Sequence, residues 1–210
     1  MIGAVAIRGA EAATSSRDLY FDTLKALALA LETKDPYSRG TTEKVLDLAT
    51  ELGRRLELES RPLQALRVAA LLHDVGMAAV GDAAAVGDRP LSTVEWGLLK
   101  MHPAIAAEVI ASAPTLLDAV PIVYHHHERF DGSGYATGLS GEDIPCGARI
   151  LAVADAYTAM TSDRPYRRAR TQAEAIREIE AASGSQFDPR VVSVLLEMLA
   201  SGVAATAPPD

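Results

Sequence analysis

The sequence predicts an all-α fold. Alanine supplies 38 of the 210 residues, and aromatic residues only 5%. Alanine is the best helix former, whereas sheets favour β-branched and aromatic side chains. Apolar residues recur at three- and four-residue steps in Val45, Leu48, Ala49, Leu52 and Leu56, and again in Leu63, Leu66, Ala70 and Leu71. That is the period of a helix with one buried face. Helix-start signals stand where such runs begin. Ser92 with Glu95, and Thr171 with Glu174, have capping-box spacing, and Asp188-Pro189 reads as an N-cap followed by proline at the first helical position.

In chain order, helices are expected at 17–33, 42–58, 62–74, 92–111, 115–127, 146–162, 171–183 and 189–200. The stretches 76–90 and 129–145 mix glycine, aspartate and proline, break the helical period and read as loops. One domain over 17–201 is expected, with loose tails at 1–16 and 202–210. On the first helix, Leu24, Leu27, Ala28 and Leu31 form a face that could serve a homodimer, with core packing the favoured reading. Trp96 and Phe130 are assigned to packing.

The formal net charge is −8, from 20 basic and 28 acidic residues. This argues against a generic DNA-coating protein, which needs a basic face. A single cysteine, Cys146, excludes an internal disulfide and a cysteine-rich zinc site. No uninterrupted apolar run approaches the roughly 18 residues of a membrane span. No secretory signal is evident, and a cytoplasmic protein is expected. A receiver or sensor module is not expected within these residues.

All five histidines fall between residues 73 and 127: His73, His102, His125, His126 and His127. His73-Asp74 closes the apolar run Val68–Leu72, and Asp155 lies inside the apolar run Ile150–Met160. Ionisable groups in such settings need a partner. Taken singly, each has an ordinary explanation: a hydrogen-bonded core histidine, a surface accident, a carboxylate capping a helix. Taken together they suggest a metal ion, since neutral imidazole and ionised carboxylate are good ligands for iron, manganese or zinc.

The motifs are more specific. His73-Asp74-Val75-Gly76 and Lys100-Met101-His102-Pro103 are followed by His126-His127-Glu128-Arg129-Phe130-Asp131-Gly132-Ser133-Gly134-Tyr135. Then come Ile144-Pro145, Ala148-Arg149-Ile150, Val153-Ala154-Asp155, Asp163-Arg164-Pro165-Tyr166-Arg167 and Gln186-Phe187-Asp188-Pro189. Together these resemble the HD-GYP domains, a branch of the HD phosphohydrolase superfamily, from about Tyr20 to Leu199.

The resemblance implies a helical bundle holding two, sometimes three, metal ions in its core; for this sequence one or two divalent ions per chain are expected, iron or manganese first and zinc as a third candidate. It assigns His73, Asp74 and Asp155 to one ion, and Asp74, His102, His126 and His127 to the other. His125 is read as a neighbour. The implied reaction is metal-dependent hydrolysis of cyclic di-GMP, or a related cyclic dinucleotide, to linear pGpG or GMP, with His73 and Asp74 at the catalytic centre. Arg164 and Arg167 match phosphate-contacting positions. Asp131, Gly132, Gly134 and Tyr135 form the signature loop, which is also a candidate surface for a protein partner.

Three departures bear on activity. Thr41 stands where the family's early metal-binding histidine is expected, Met77 where a lysine follows His-Asp-x-Gly, and Ala136 where the signature has proline. They leave a second reading open: a catalytically degenerate domain that binds a cyclic dinucleotide or a protein.

Overall fold

The fold is that of a computed structural model, which describes residues 19–32, 40–80, 89, 91–163 and 167–201. The described residues form α1 (19–32), α2 (Thr42–Arg55), α3 (Ser60–Leu72), α4 (Met77–Val80) and α5 (Thr93–Leu99). These are followed by α6 (His102–Ala111), α7 (Val120–Tyr124), α8 (Cys146–Thr161), α9 (Gln172–Ala181) and α10 (Pro189–Ala200). Short 3₁₀ turns occupy Pro114–Ala119 and Gly141–Asp143, and no strand occurs among the described residues. The tails expected at 1–16 and 202–210 lie outside the described residues.

α8 is the central helix. It buries Ala148, Ile150, Leu151, Val153 and Ala154 and is packed by α2, α3, α7, α9 and α10. The expected face of α2 is buried at Val45, Leu48, Ala49 and Leu52, against Leu66, Ala69 and Ala70 of α3. Each such leucine contributes about 1.5–3 kcal/mol by leaving water.

The caps hold where the sequence placed them. Both capping boxes are formed, and the Asp188 carboxylate accepts from the N–H of Arg190. Asp188 also pairs with Arg149 at 2.5 Å, and Arg149 donates to the carbonyl of Ile144, tying the start of α10 to α8. Buried Glu32 of α1 accepts from the N–H groups of Thr41 and Thr42 and from the Thr42 hydroxyl, capping the start of α2.

Three expectations are corrected. The single helix over 92–111 is broken at Lys100 and Met101, because Pro103 has no N–H to offer the Leu99 carbonyl. The helix over 115–127 is a 3₁₀ turn, then α7, then a turn carrying the three histidines. Trp96 is not a packing residue of the core: 47% of it is exposed. On α1, Phe21 and Ala28 are buried while Leu27 and Leu31 stay largely in solvent, so core packing claims only part of that face. The segment Ser60–Val80 is apolar and long enough to cross a membrane by length and composition, yet more than half of it is buried inside the bundle.

Candidate metal centre

Three helix ends aim three imidazoles at one point. The last carbonyls of a helix have no partner within the helix. Here histidines at the ends of α3, α5 and α7 fill that gap. His73 Nδ1 lies 3.0 Å from the Ala70 carbonyl, His102 Nδ1 2.7 Å from that of Leu99, and His126 Nδ1 2.6 Å from that of Val123. A carbonyl carries no proton, so each Nδ1 must donate. Each Nε2 is thereby turned inward: on a neutral ring its lone pair is left for the centre of the site, and on His73 it carries the proton facing Asp74 that a metal would displace. Fixing a tautomer through the second ring nitrogen is how proteins prepare imidazole for a metal.

His102 Nε2 and His126 Nε2 face each other at 3.4 Å. Burial pushes both imidazoles down from their ordinary value, so both are neutral near pH 7. Two neutral rings that both keep the proton on Nδ1 present two lone pairs to one another, an arrangement a cation resolves. Ligands about 2.1 Å from a shared ion stand roughly 3.0–3.4 Å apart. His127 completes a set whose ring nitrogens all lie within 4.8 Å of one another. Burial lowers its pKa to about 3, with the charge of His102 acting in the same direction.

Asp74 faces two of these rings, with Oδ2 3.3 Å from His73 Nε2 and Oδ1 3.5 Å from His102 Nε2. Burial opposes its charge, but His73, His102 and His126 outweigh that and hold the carboxyl far below the carboxylate range. Burial likewise opposes charge on His73; the Asp74 carboxylate, helped by Asp155, raises that imidazole to about 9. Asp155, half-buried on α8, is therefore close enough to His73 for its charge to act on that ring. The donor set of imidazoles with fixed tautomers around an ionised carboxylate fits a divalent ion.

Gly76 explains why the His-Asp-x-Gly motif needs its glycine. A Cβ there would sit 2.1 Å from the carbonyl of His102, so only glycine lets this turn lie against α6. Gly134 plays the same part in the signature loop, where a Cβ would meet the Arg129 nitrogen at 2.3 Å.

The loop is organised by Glu128. Its buried carboxylate accepts from the Thr137 N–H at 2.6 Å, the Thr137 hydroxyl at 2.9 Å and the Gly138 N–H at 3.0 Å. Asp131 accepts from the N–H and hydroxyl of Ser133, and Gly132 takes φ +81°. The loop so folded lays Tyr135 on His127, with ring centroids 5.0 Å apart and planes 28° apart. Burial and the charges of Asp74 and Asp155 push the Tyr135 hydroxyl pKa well up, so it stays protonated.

The expected ligands His73, Asp74, His102, His126 and His127 are thus brought together. His125 Nδ1 lies 3.5 Å from Glu128 Oε1 and 3.4 Å from the Thr137 hydroxyl. Arg167 donates to the Ala159 carbonyl at 2.6 Å, and Arg164 lies outside the described residues. Glu128 was visible only as a motif letter. Its role depends on donors nine and ten residues away, which no local signal announces.

A model of the HD domain family matches residues 25–191. The chain belongs to the HD domain family. Among its relatives it is 38% identical over 177 residues to "Cyclic di-GMP phosphodiesterase response regulator RpfG" of Xanthomonas campestris pv. campestris, covering 83% of this chain and 47% of that protein. It is 40% identical over 162 residues to "Cyclic di-GMP phosphodiesterase PA4108" of Pseudomonas aeruginosa, covering 77% of this chain and 39% of that one. This HD domain chain therefore spans less than half the length of either relative. The fold matches the crystal structure of a cyclic GMP-AMP specific phosphodiesterase of Vibrio cholerae, with a TM-score of 0.71 at 21% identity over 89% of this chain and 51% of that one. The motifs and these relatives place it in the HD-GYP branch.

Proposed function

We propose that this HD domain hydrolyses a cyclic dinucleotide, with cyclic di-GMP as the favoured substrate. The observation that carries the reading is the set of inward-turned Nε2 atoms around Asp74. Two relatives at 38% and 40% identity are named cyclic di-GMP phosphodiesterases, which favours that substrate over the cyclic GMP-AMP named for the structural neighbour. Hydrolysis adds one water across one phosphodiester to give linear pGpG, and a second water gives two GMP.

His102, His126, His127 and Asp74 would hold one ion; His73, Asp74 and Asp155 would hold a second, with iron or manganese preferred and zinc as the third candidate. A divalent ion here supplies an activated water and neutralises phosphate charge. The chain's own groups do the rest. Asp74, held ionised by the surrounding imidazoles, faces both ligand sets. Tyr135, kept protonated, covers His127. Arg164 and Arg167 are assigned to the substrate phosphates, Arg167 by way of a guanidinium anchored on α8.

The second reading, a binding module without turnover, is favoured by Thr41 in place of the early histidine. Metal stoichiometry and product chromatography on anaerobically purified, untagged protein decide between them. Bound metal with pGpG or GMP formation supports the hydrolase, and Asp74→Ala should then lose both. Unchanged turnover in Asp74→Ala would overturn the metal mechanism. Binding of cyclic di-GMP without turnover would establish the module.

A further inference from the structure

Beside the metal centre stands a cation that the site description leaves unused. Lys100 lies in the break between α5 and α6, two residues before His102. Its Nζ is 5.4 Å from the centroid of the Tyr135 ring and 6.0 Å from that of Trp96. Tyr135 is itself stacked on His127. The rings of His127, Tyr135 and Trp96 thus lead outward from the site, with the ammonium between the outer two. No carboxylate among the described residues lies within ion-pair distance of Lys100. Trp96, the chain's only tryptophan, is 47% exposed, whereas tryptophan is ordinarily well buried.

Both features suit one kind of ligand. An ammonium held over aromatic faces keeps N–H groups free to meet a phosphate as a point charge. An exposed indole face stacks a nucleobase irrespective of its identity. The substrate class proposed above carries two phosphodiesters on opposite sides of one macrocycle. If one reacts at the imidazoles, the other needs a cation a ring's width away, and Lys100 is separated from His127 by the Tyr135 ring. The need is sharper here, because Met77 supplies no charge beside the His-Asp pair.

Resting on that reading, we propose that Lys100 and Trp96 form an outer subsite, in which Lys100 pairs with the non-reacting phosphate and Trp96 stacks the adjacent purine.

The test is equilibrium binding by calorimetry, using the manganese-loaded full chain and the hydrolysis-resistant bis-phosphorothioate analogue of cyclic di-GMP. Lys100→Met and Trp96→Leu should each weaken binding about tenfold or more. Lys100→Arg and Trp96→Phe should stay within threefold of the parent. Both side chains are exposed, so melting temperatures should not move, which separates lost contacts from lost fold. Unchanged affinity in Lys100→Met and Trp96→Leu overturns the subsite, as does a parent chain that does not bind the analogue. A parent that binds the analogue yet never cleaves cyclic di-GMP overturns the hydrolase reading alone, and the variants still decide the subsite.

Discussion

Removing the Glu128 carboxylate should release the loop that covers the metal centre. Its side chain is fully buried and accepts two backbone N–H groups and one hydroxyl, all from Thr137 and Gly138. A net hydrogen bond to a charged group contributes about 1.5–3 kcal/mol. The three share one carboxylate and do not add fully, and the exposed loop can turn its freed donors to water. We expect Glu128→Ala to cost about 3 kcal/mol. For a domain of this size that lowers the melting temperature by roughly 6–12 °C. Glu128→Gln keeps one acceptor but turns an amide donor toward the N–H groups, and should fall about midway. Calorimetric melting at matched metal content measures the stability loss, and hydrogen exchange over 131–138 measures release of the loop. A melting temperature within about 2 °C of the parent, with unchanged exchange at Tyr135, would refute the assignment of Glu128 as the loop's anchor.

Other predictions concern a helix end and the metal. α2 ends in a Schellman motif, with Leu58 N–H on the Gly53 carbonyl and Glu57 N–H on that of Arg54, and Glu57 sits at φ +57°. Since glycine carries no steric penalty there, Glu57→Gly should raise stability by about 1 kcal/mol in denaturant unfolding. Without metal, the raised His73 pKa of about 9 means a protonated ring at neutral pH, stabilising the fold fully below its unfolded value of 6.5 and losing that contribution as pH rises through about 9. Metal must displace that proton, so apparent affinity should rise with pH up to about 9. Calorimetry in buffers of differing ionisation enthalpy at pH 7 should show close to one proton released from His73, and no release would contradict its role as a ligand. Thr41→His should increase manganese bound per chain, because it restores the missing imidazole while the backbone stays held by Glu32. Unchanged stoichiometry by elemental analysis would show the site to be remodelled rather than incomplete.

Local rules made much of this molecule legible from sequence. Helix faces, capping boxes and the Asp188-Pro189 start depend on residues within four positions, and they stand where the pattern put them. The histidines and Asp74 stand out because ionisable groups interrupt apolar runs, and their assignment to metal ions is what the resemblance to HD-GYP domains implies. The break at Pro103 in the helix expected over 92–111 is itself a local effect, the Leu99 carbonyl left without a backbone donor being taken by His102 Nδ1. What local rules could not supply is the meeting of distant chain ends. Gly76 must be glycine only because the carbonyl of His102, 26 residues later, occupies the space of its Cβ. A large apolar ring such as Trp96 is expected in the core, but nearly half of it faces solvent, with the Lys100 ammonium 6.0 Å from its centroid.

The sequence by itself determined the helices, their caps and the residue types available to hold a metal, since each follows from the period and chemistry of nearby residues. Only the tertiary structure decided that these histidine nitrogens converge on Asp74, what Glu128 anchors, and that the Tyr135 ring lies between His127 and Lys100. Those outcomes depend on which turn or loop is brought alongside another, and that is fixed by how the helices pack rather than by the residues next in the chain.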